Sequence, residues 1–208
     1  MRSLTHAAWI TVLALVLTSA FVQEAPATGV RAAWSRPPMV DSHALYSKAA
    51  AKAHPRSMPE AGEIHSAGLL DRVARRMDGG LLPESQATEE SRRAIDALRA
   101  YAASRDSAHY KEALRRVMHL ASWDPRGATG YAAAAEEART VAWTLALGYD
   151  WLAPRLEDTS KHRILGALRA RTADLKRDTS PDSTATLTAI LTLVAGDLPE
   201  ARVWLVQN

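Results

Sequence analysis

The sequence predicts an all-α fold, built of stacked antiparallel helical hairpins that form a partial (α/α) toroid. Three observations carry this expectation. Alanine is the commonest residue and leucine is abundant, and both are strong helix formers. Aromatic residues make up only 6% of the chain, with a single Phe, so apolar burial has to come from aliphatic side chains. Val, Ile and Thr seldom alternate with polar residues, which leaves strands unsupported, whereas apolar residues recur at helical spacing in one segment after another. At 208 residues, 47% hydrophobic and 24% charged, the chain suits one globular domain and is too apolar to be mostly disordered.

The first element is a secretory signal over residues 1–27. Arg2 and His6 precede an uncharged run, Ala7 to Val22, and Ala25-Pro26-Ala27 supplies a small-x-small cleavage pattern, with Ala20 as a second place to cut. The run has 16 residues, short of the ~20 that a bilayer-spanning helix prefers. The mature chain is therefore expected to be secreted or periplasmic, with no membrane association after cleavage. The absence of cysteine excludes a lipoprotein anchor and disulfide stapling. Residues 28–41 carry Pro37-Pro38 and little periodicity, and read as an extended lead-in to a domain over 42–208.

Eight helices are expected within that domain. Ser42 caps the first, which runs through Ala53 and stops before Pro55. The second covers Glu63 to Met77, buries Ile64, Leu69, Leu70, Val73 and Met77, and ends at Gly79-Gly80. Thr88 is the expected N-cap of the third, with Glu89 and Glu90 where the helix dipole favours anions; its apolar face is Ile95, Leu98 and Tyr101. Ser107 caps the fourth, which carries Tyr110, Leu114, Val117 and Met118. The fifth, Tyr131 to Leu152, is apolar around nearly its whole circumference, the mark of a helix with neighbours on several sides. The sixth starts at Asp158 or Thr159 and buries Ile164, Leu165, Leu168 and Leu175. The seventh covers Asp182 to Ala195, and the eighth opens on Pro199 and reaches Val206. A tetratricopeptide array is excluded, because the Leu and Gly after Trp143 fall one position too late for that repeat.

Charge narrows the partners only a little. The net charge is +3, but basic residues are interspersed with acids, which argues against a nucleic-acid-binding face. The densest cluster, Arg72-Val73-Ala74-Arg75-Arg76, reads as the solvated side of a helix. No metal or cofactor is expected: His109 and His119 lie nearly three turns apart, and HExxH, phosphate-loop and nucleophile-elbow patterns are all missing. Glu136 and Glu137 are adjacent, so their side chains diverge by about 100° and do not form the facing pair of a glycoside hydrolase. Asp150, between Tyr149 and Trp151, reads as a structural carboxylate, with a raised-pKa acid as the other possibility.

The loop Ser122-Trp123-Asp124-Pro125-Arg126-Gly127-Ala128-Thr129-Gly130 is the candidate binding element. With Tyr131 it offers an aromatic platform, an arginine and a phenol on a glycine-flexed backbone, the inventory of a carbohydrate surface. Trp123, Arg126 and Tyr131 are the candidate substrate-binding residues. The competing reading makes Trp123 a plug at a helix junction, with Asp124 and Thr129 satisfying helix ends.

The order of these features resembles the N-terminal helical region of the heparinase II/III-like polysaccharide lyases. The resemblance is carried by Trp123-Asp124-Pro125 with Gly127, by the Tyr149-Asp150-Trp151-Leu152 close, by Leu156, by the Arg-rich helix that follows, and by His54-Pro55-Arg56; it extends over about residues 54–206. It implies an incomplete α/α toroid, no cofactor, and a cleft for acidic, uronate-containing polysaccharide cleaved by β-elimination. In such a step a neutralised uronate carboxyl acidifies the C5 proton, a Tyr or His base removes it, and a Tyr or His acid protonates the leaving oxygen. The family carries a polar-His motif entering the helix after the Arg-rich one. Here Asp182-Ser183-Thr184 stands in that place, with Thr184 where the His is expected, and a Thr hydroxyl does not titrate near neutral pH. The expectation is therefore a truncated toroid with no catalytic set of its own, whose partners are acidic polysaccharide or the remainder of the toroid. The alternative is a non-catalytic periplasmic helical-hairpin module that binds carbohydrate or protein.

Overall fold

A computed structural model describes residues 58, 59, 62, 64 and 68–207. The signal peptide, the lead-in, the first expected helix and His54-Pro55-Arg56 lie outside the described residues. The described part is all-helical, with seven α-helices and no strand: α1 (Leu69–Met77), α2 (Ala87–Ser104), α3 (Ser107–Leu120), α4 (Ala135–Leu152), α5 (Asp158–Leu175), α6 (Pro181–Val194) and α7 (Pro199–Gln207). Two short 3-10 turns, Glu84–Gln86 and Ala153–Arg155, lead into α2 and out of α4.

Helix starts differ from the sequence expectation by one to several residues. Helix α1 begins at Leu69, directly after Gly68 at φ 69°, a left-handed conformation outside the helix; Glu63, where the pattern starts, lies outside the described residues. The N-cap of α2 is Gln86 rather than Thr88, which lies inside the first turn, because the 3-10 turn already delivers the chain to the helix. Asp106, not Ser107, caps α3: its Oδ1 accepts from the Ala108 amide at 2.6 Å. Helix α4 begins at Ala135, since 131–133 form a separate turn after the Gly130 bend. Ser180 caps α6, its Oγ accepting from the Ser183 amide at 3.3 Å, with Pro181 at the first helical position.

Two residues, Arg105 and Asp106, turn α2 into α3, which forces those helices antiparallel. Arg105 takes the left-handed conformation at φ 57° and closes α2 through its amide to the Tyr101 carbonyl at 2.7 Å. Short turns likewise join α4 to α5, α5 to α6 and α6 to α7, so the chain is a stack of helical hairpins. Helix α4 is the hub: it packs on α2, α3, α5 and α6, and every residue from Val141 to Leu152 is buried. That is the physical content of its all-round apolar sequence.

The interior is made largely of small and aliphatic side chains, among them Ala94, Ala97, Ala100, Ala113, Ala142 and Ala146 beside Leu98, Leu120, Leu145 and Leu147. Small residues let helix axes approach closely. The tightest point is Gly148 on α4, where an added Cβ would lie 2.6 Å from Val117 Cγ2 on α3. Gly148→Ala is expected to cost about 1–3 kcal/mol by overpacking, against the roughly 1 kcal/mol that alanine gains elsewhere in a helix. Urea unfolding of Gly148→Ala with and without Val117→Ala checks this. Stabilisation by the single substitution, or failure of the second to restore stability, would refute the close contact.

Candidate functional site

The loop after α3 is fixed from behind by α5. Arg171 is 4% exposed, and its guanidinium donates to the Thr129 carbonyl at 2.9 Å, Thr129 Oγ1 at 3.2 Å and the Trp123 carbonyl at 3.4 Å. Burial pushes its pKa down, while the carboxylates of Glu84 and Asp124 oppose that shift. Within the loop, Asp124 Oδ1 accepts from the Arg126 amide at 2.9 Å, and the amides of Gly127 and Gly130 close successive turns. Gly130 is needed there: a Cβ would lie 2.7 Å from the Pro125 carbonyl oxygen.

The candidate residues separate on this frame. Trp123 is 6% exposed and belongs to the hydrophobic core, with its ring edge-on to His119 at 5.2 Å between centroids. His119 is in turn tied to the Leu82 carbonyl through Nε2 at 2.7 Å. In this position the indole offers almost no face to a ligand. Arg126 is exposed at the loop surface. Tyr131 is half-buried, with its ring against the core and its hydroxyl directed at the turn between α5 and α6.

That hydroxyl enters a polar cluster formed with the first turn of α6. Tyr131 donates to Asp178 and lies 3.0 Å from Ser183 Oγ. Ser183 donates to Asp178 Oδ2 at 2.6 Å, and the Ser180 amide donates to Oδ1 at 2.8 Å. These three bonds, Ser183 first, hold the Asp178 carboxyl well below the ordinary carboxylate range. Arg139, at the start of α4, reaches Ser183 Oγ with Nη1 at 3.4 Å and forms no ion pair among the described residues. Thr184 follows Ser183 on α6, half-buried, with its carbonyl accepting from Thr188 Oγ1 at 2.8 Å. The loop residue Tyr131 and the motif residue Thr184 therefore belong to one locality, whereas Trp123 lies inside and Arg126 outside.

Sequence reasoning missed Arg139, Asp178 and Ser183 as members of this cluster. Tyr131 and Asp178 are 47 positions apart, and Tyr131 and Ser183 are 52 apart, so only the return of α6 beside α4 joins them. A local signal existed in Asp178 and Ser180 just before Pro181, a turn-and-cap pattern.

A concavity of about 370 Å³ lies between the first turns of α2 and α4 and the loop, lined by Glu84, Thr88, Glu89, Thr129 and Glu137. Its carboxylates repel a polyanion, so it does not suit acidic polysaccharide. Glu89 is held at about 2, chiefly by its bond to Arg92 and also by Arg93, and remains charged through the neutral range. Asp150 is fully buried within α4. Among the described residues no group of three or more His, Asp or Glu side chains is arranged to hold a metal ion, and no helix is long and apolar enough to cross a membrane. Searches against family models and curated proteins return no match for this chain.

Proposed function

We propose that this chain is the toroid part of an exported heparinase II/III-like polysaccharide lyase, and that it holds acidic polysaccharide by uronate carboxylates without cleaving it. The observation that supports the reading is Arg139: a half-buried guanidinium with no ion pair among the described residues, beside the Tyr131 and Ser183 hydroxyls. A cation flanked by hydroxyl donors is the set that binds a carboxylate through charge-assisted hydrogen bonds. The site lies at the first turn of α6, where the resemblance places the polar residues of the cleft, and the surrounding helical hairpins are compatible with part of a toroid. Thr184 in place of the expected His leaves the cluster without an imidazole, and the one phenol in it, Tyr131, donates its proton to Asp178, which supports binding rather than elimination as its chemistry. Export rests on the basic start, apolar run and Ala25-Pro26-Ala27 of the first 27 residues.

Calorimetric titration with tetragalacturonate is expected to show binding that Arg139→Gln weakens by about tenfold or more, with no binding of a neutral maltooligosaccharide. Incubation with polyuronate is expected to give no rise in the ultraviolet absorbance of unsaturated products. Equal affinity for neutral and acidic oligosaccharides, or an unaltered Arg139→Gln, would refute the uronate site. A second reading, a non-catalytic module that binds protein, draws on the burial of Trp123 and on Val203 and Val206 exposed along α7.

A further inference from the structure

We propose that Asp178 is a built-in competitor for the uronate site: its carboxylate occupies the hydrogen-bond donors that a ligand carboxylate takes, and it swings out on binding. This inference rests on the reading of Arg139, Tyr131 and Ser183 as a carboxylate-binding set. Tyr131, Ser183 and the Ser180 amide all donate to the two oxygens of Asp178, so the donors on this side of Arg139 are already filled by a carboxylate of the chain itself. Arg139 approaches the same Ser183 Oγ at 3.4 Å, completing for an incoming anion what Asp178 only partly engages.

The geometry also lets Asp178 leave. It sits in the connection 176–180 between α5 and α6, outside either helix, and is half-buried. It forms no ion pair among the described residues, and its three partners are neutral donors, so displacement breaks no salt bridge. The turn carboxylates Asp106 and Asp124 each accept from the amide two residues on; Asp178 does the same with the Ser180 amide but also engages two side-chain hydroxyls, Tyr131 and Ser183, which a turn does not require. Ligand affinity is then lowered by the fraction of molecules in which Asp178 is withdrawn. The competing role, in which Asp178 orders Tyr131 and Ser183 for the ligand, predicts the opposite sign on removal.

The test is calorimetric titration of the whole chain with tetragalacturonate, comparing wild type, Asp178→Asn and Asp178→Ala, with thermal unfolding recorded for each. Both substitutions are expected to tighten binding, Asp178→Ala by about tenfold, with a lowered melting temperature for Asp178→Ala from the hydrogen bonds it loses. Equal or weaker binding by both variants, with wild type still binding, overturns the competitor role and leaves the uronate site standing. Absence of binding by every variant, Asp178→Ala included, overturns the uronate site and this inference with it. If either substitution loses helical signal, the carboxyl carbon resonance of Asp178 in the wild-type chain decides: it is expected to move towards its solvated position on titration, and an unmoved resonance in the bound state overturns the proposal.

Discussion

Arg116→Met is expected to destabilise the chain by about 3–5 kcal/mol, the usual result of removing one partner from a buried ion pair. Arg116 is 1% exposed, and Glu90 and Glu112 are 0% and 5% exposed. Its Nη1 lies 2.9 Å from both oxygens of Glu90 across the α2–α3 contact, and its Nε lies 2.6 Å from Glu112 on its own helix. Methionine fills similar volume, so the loss comes from leaving carboxylates desolvated rather than from a cavity. Glu112 keeps Arg115 at 2.8 Å, while Glu90 keeps only the Leu82 amide at 3.2 Å. Urea unfolding measures the loss, and the triple replacement of Glu90, Glu112 and Arg116 by apolar residues of like size is expected to recover most of it. A loss below about 1 kcal/mol would mean that the pair is solvated.

Trp123→Ala is expected to cost about 3–5 kcal/mol, as truncation of a buried large aromatic does. The indole closes the junction between the end of α3 and the loop that Arg171 anchors. The measurement is thermal unfolding by far-ultraviolet circular dichroism alongside tetragalacturonate titration. A cooperative transition at much lower temperature assigns Trp123 to the core. An unchanged transition with weakened binding would instead make it a sugar platform and refute its enclosed position.

These two residues also mark how far the sequence was legible. Helix number and type in the described region followed from periodicity, and the all-round apolar run of α4 announced the hub. The helix starts were read one to several residues off, because Asp106 and Ser107 compete for the same cap and the 3-10 turn before α2 delivers the chain to the helix ahead of Thr88. The charged interior was invisible for a different reason. Glu90, Glu112 and Arg116 are spaced as solvated residues are, and only the pairing of α2 with α3 turns them inward. Arg72-Val73-Ala74-Arg75-Arg76 shows the same ambiguity: Arg75 is exposed, as a solvated face requires, yet Arg72 and Arg76 lean towards Asp96 on α2 at 3.4 and 3.6 Å. Trp123 belongs to the same class, since an aromatic in a Pro/Gly loop has no periodic neighbours to declare whether it points in or out. For the candidate site, Tyr131 and the position of Thr184 were legible, but Arg139 and Asp178 were not, because sequence separation hides contacts made by packing.

The enclosure of α4 has a consequence for how the chain comes apart. From Val141 to Leu152 this helix, touched by α2, α3, α5 and α6, has no solvent-facing side on which to rest if one hairpin leaves. Detaching any one of these neighbours uncovers leucine, valine and tryptophan surface, at about 25 cal/mol for each Å². Helices α2 to α6, modular in sequence, are thus expected to melt together. Within that unit the amides of the buried part of α4 are expected to be the last to exchange with solvent.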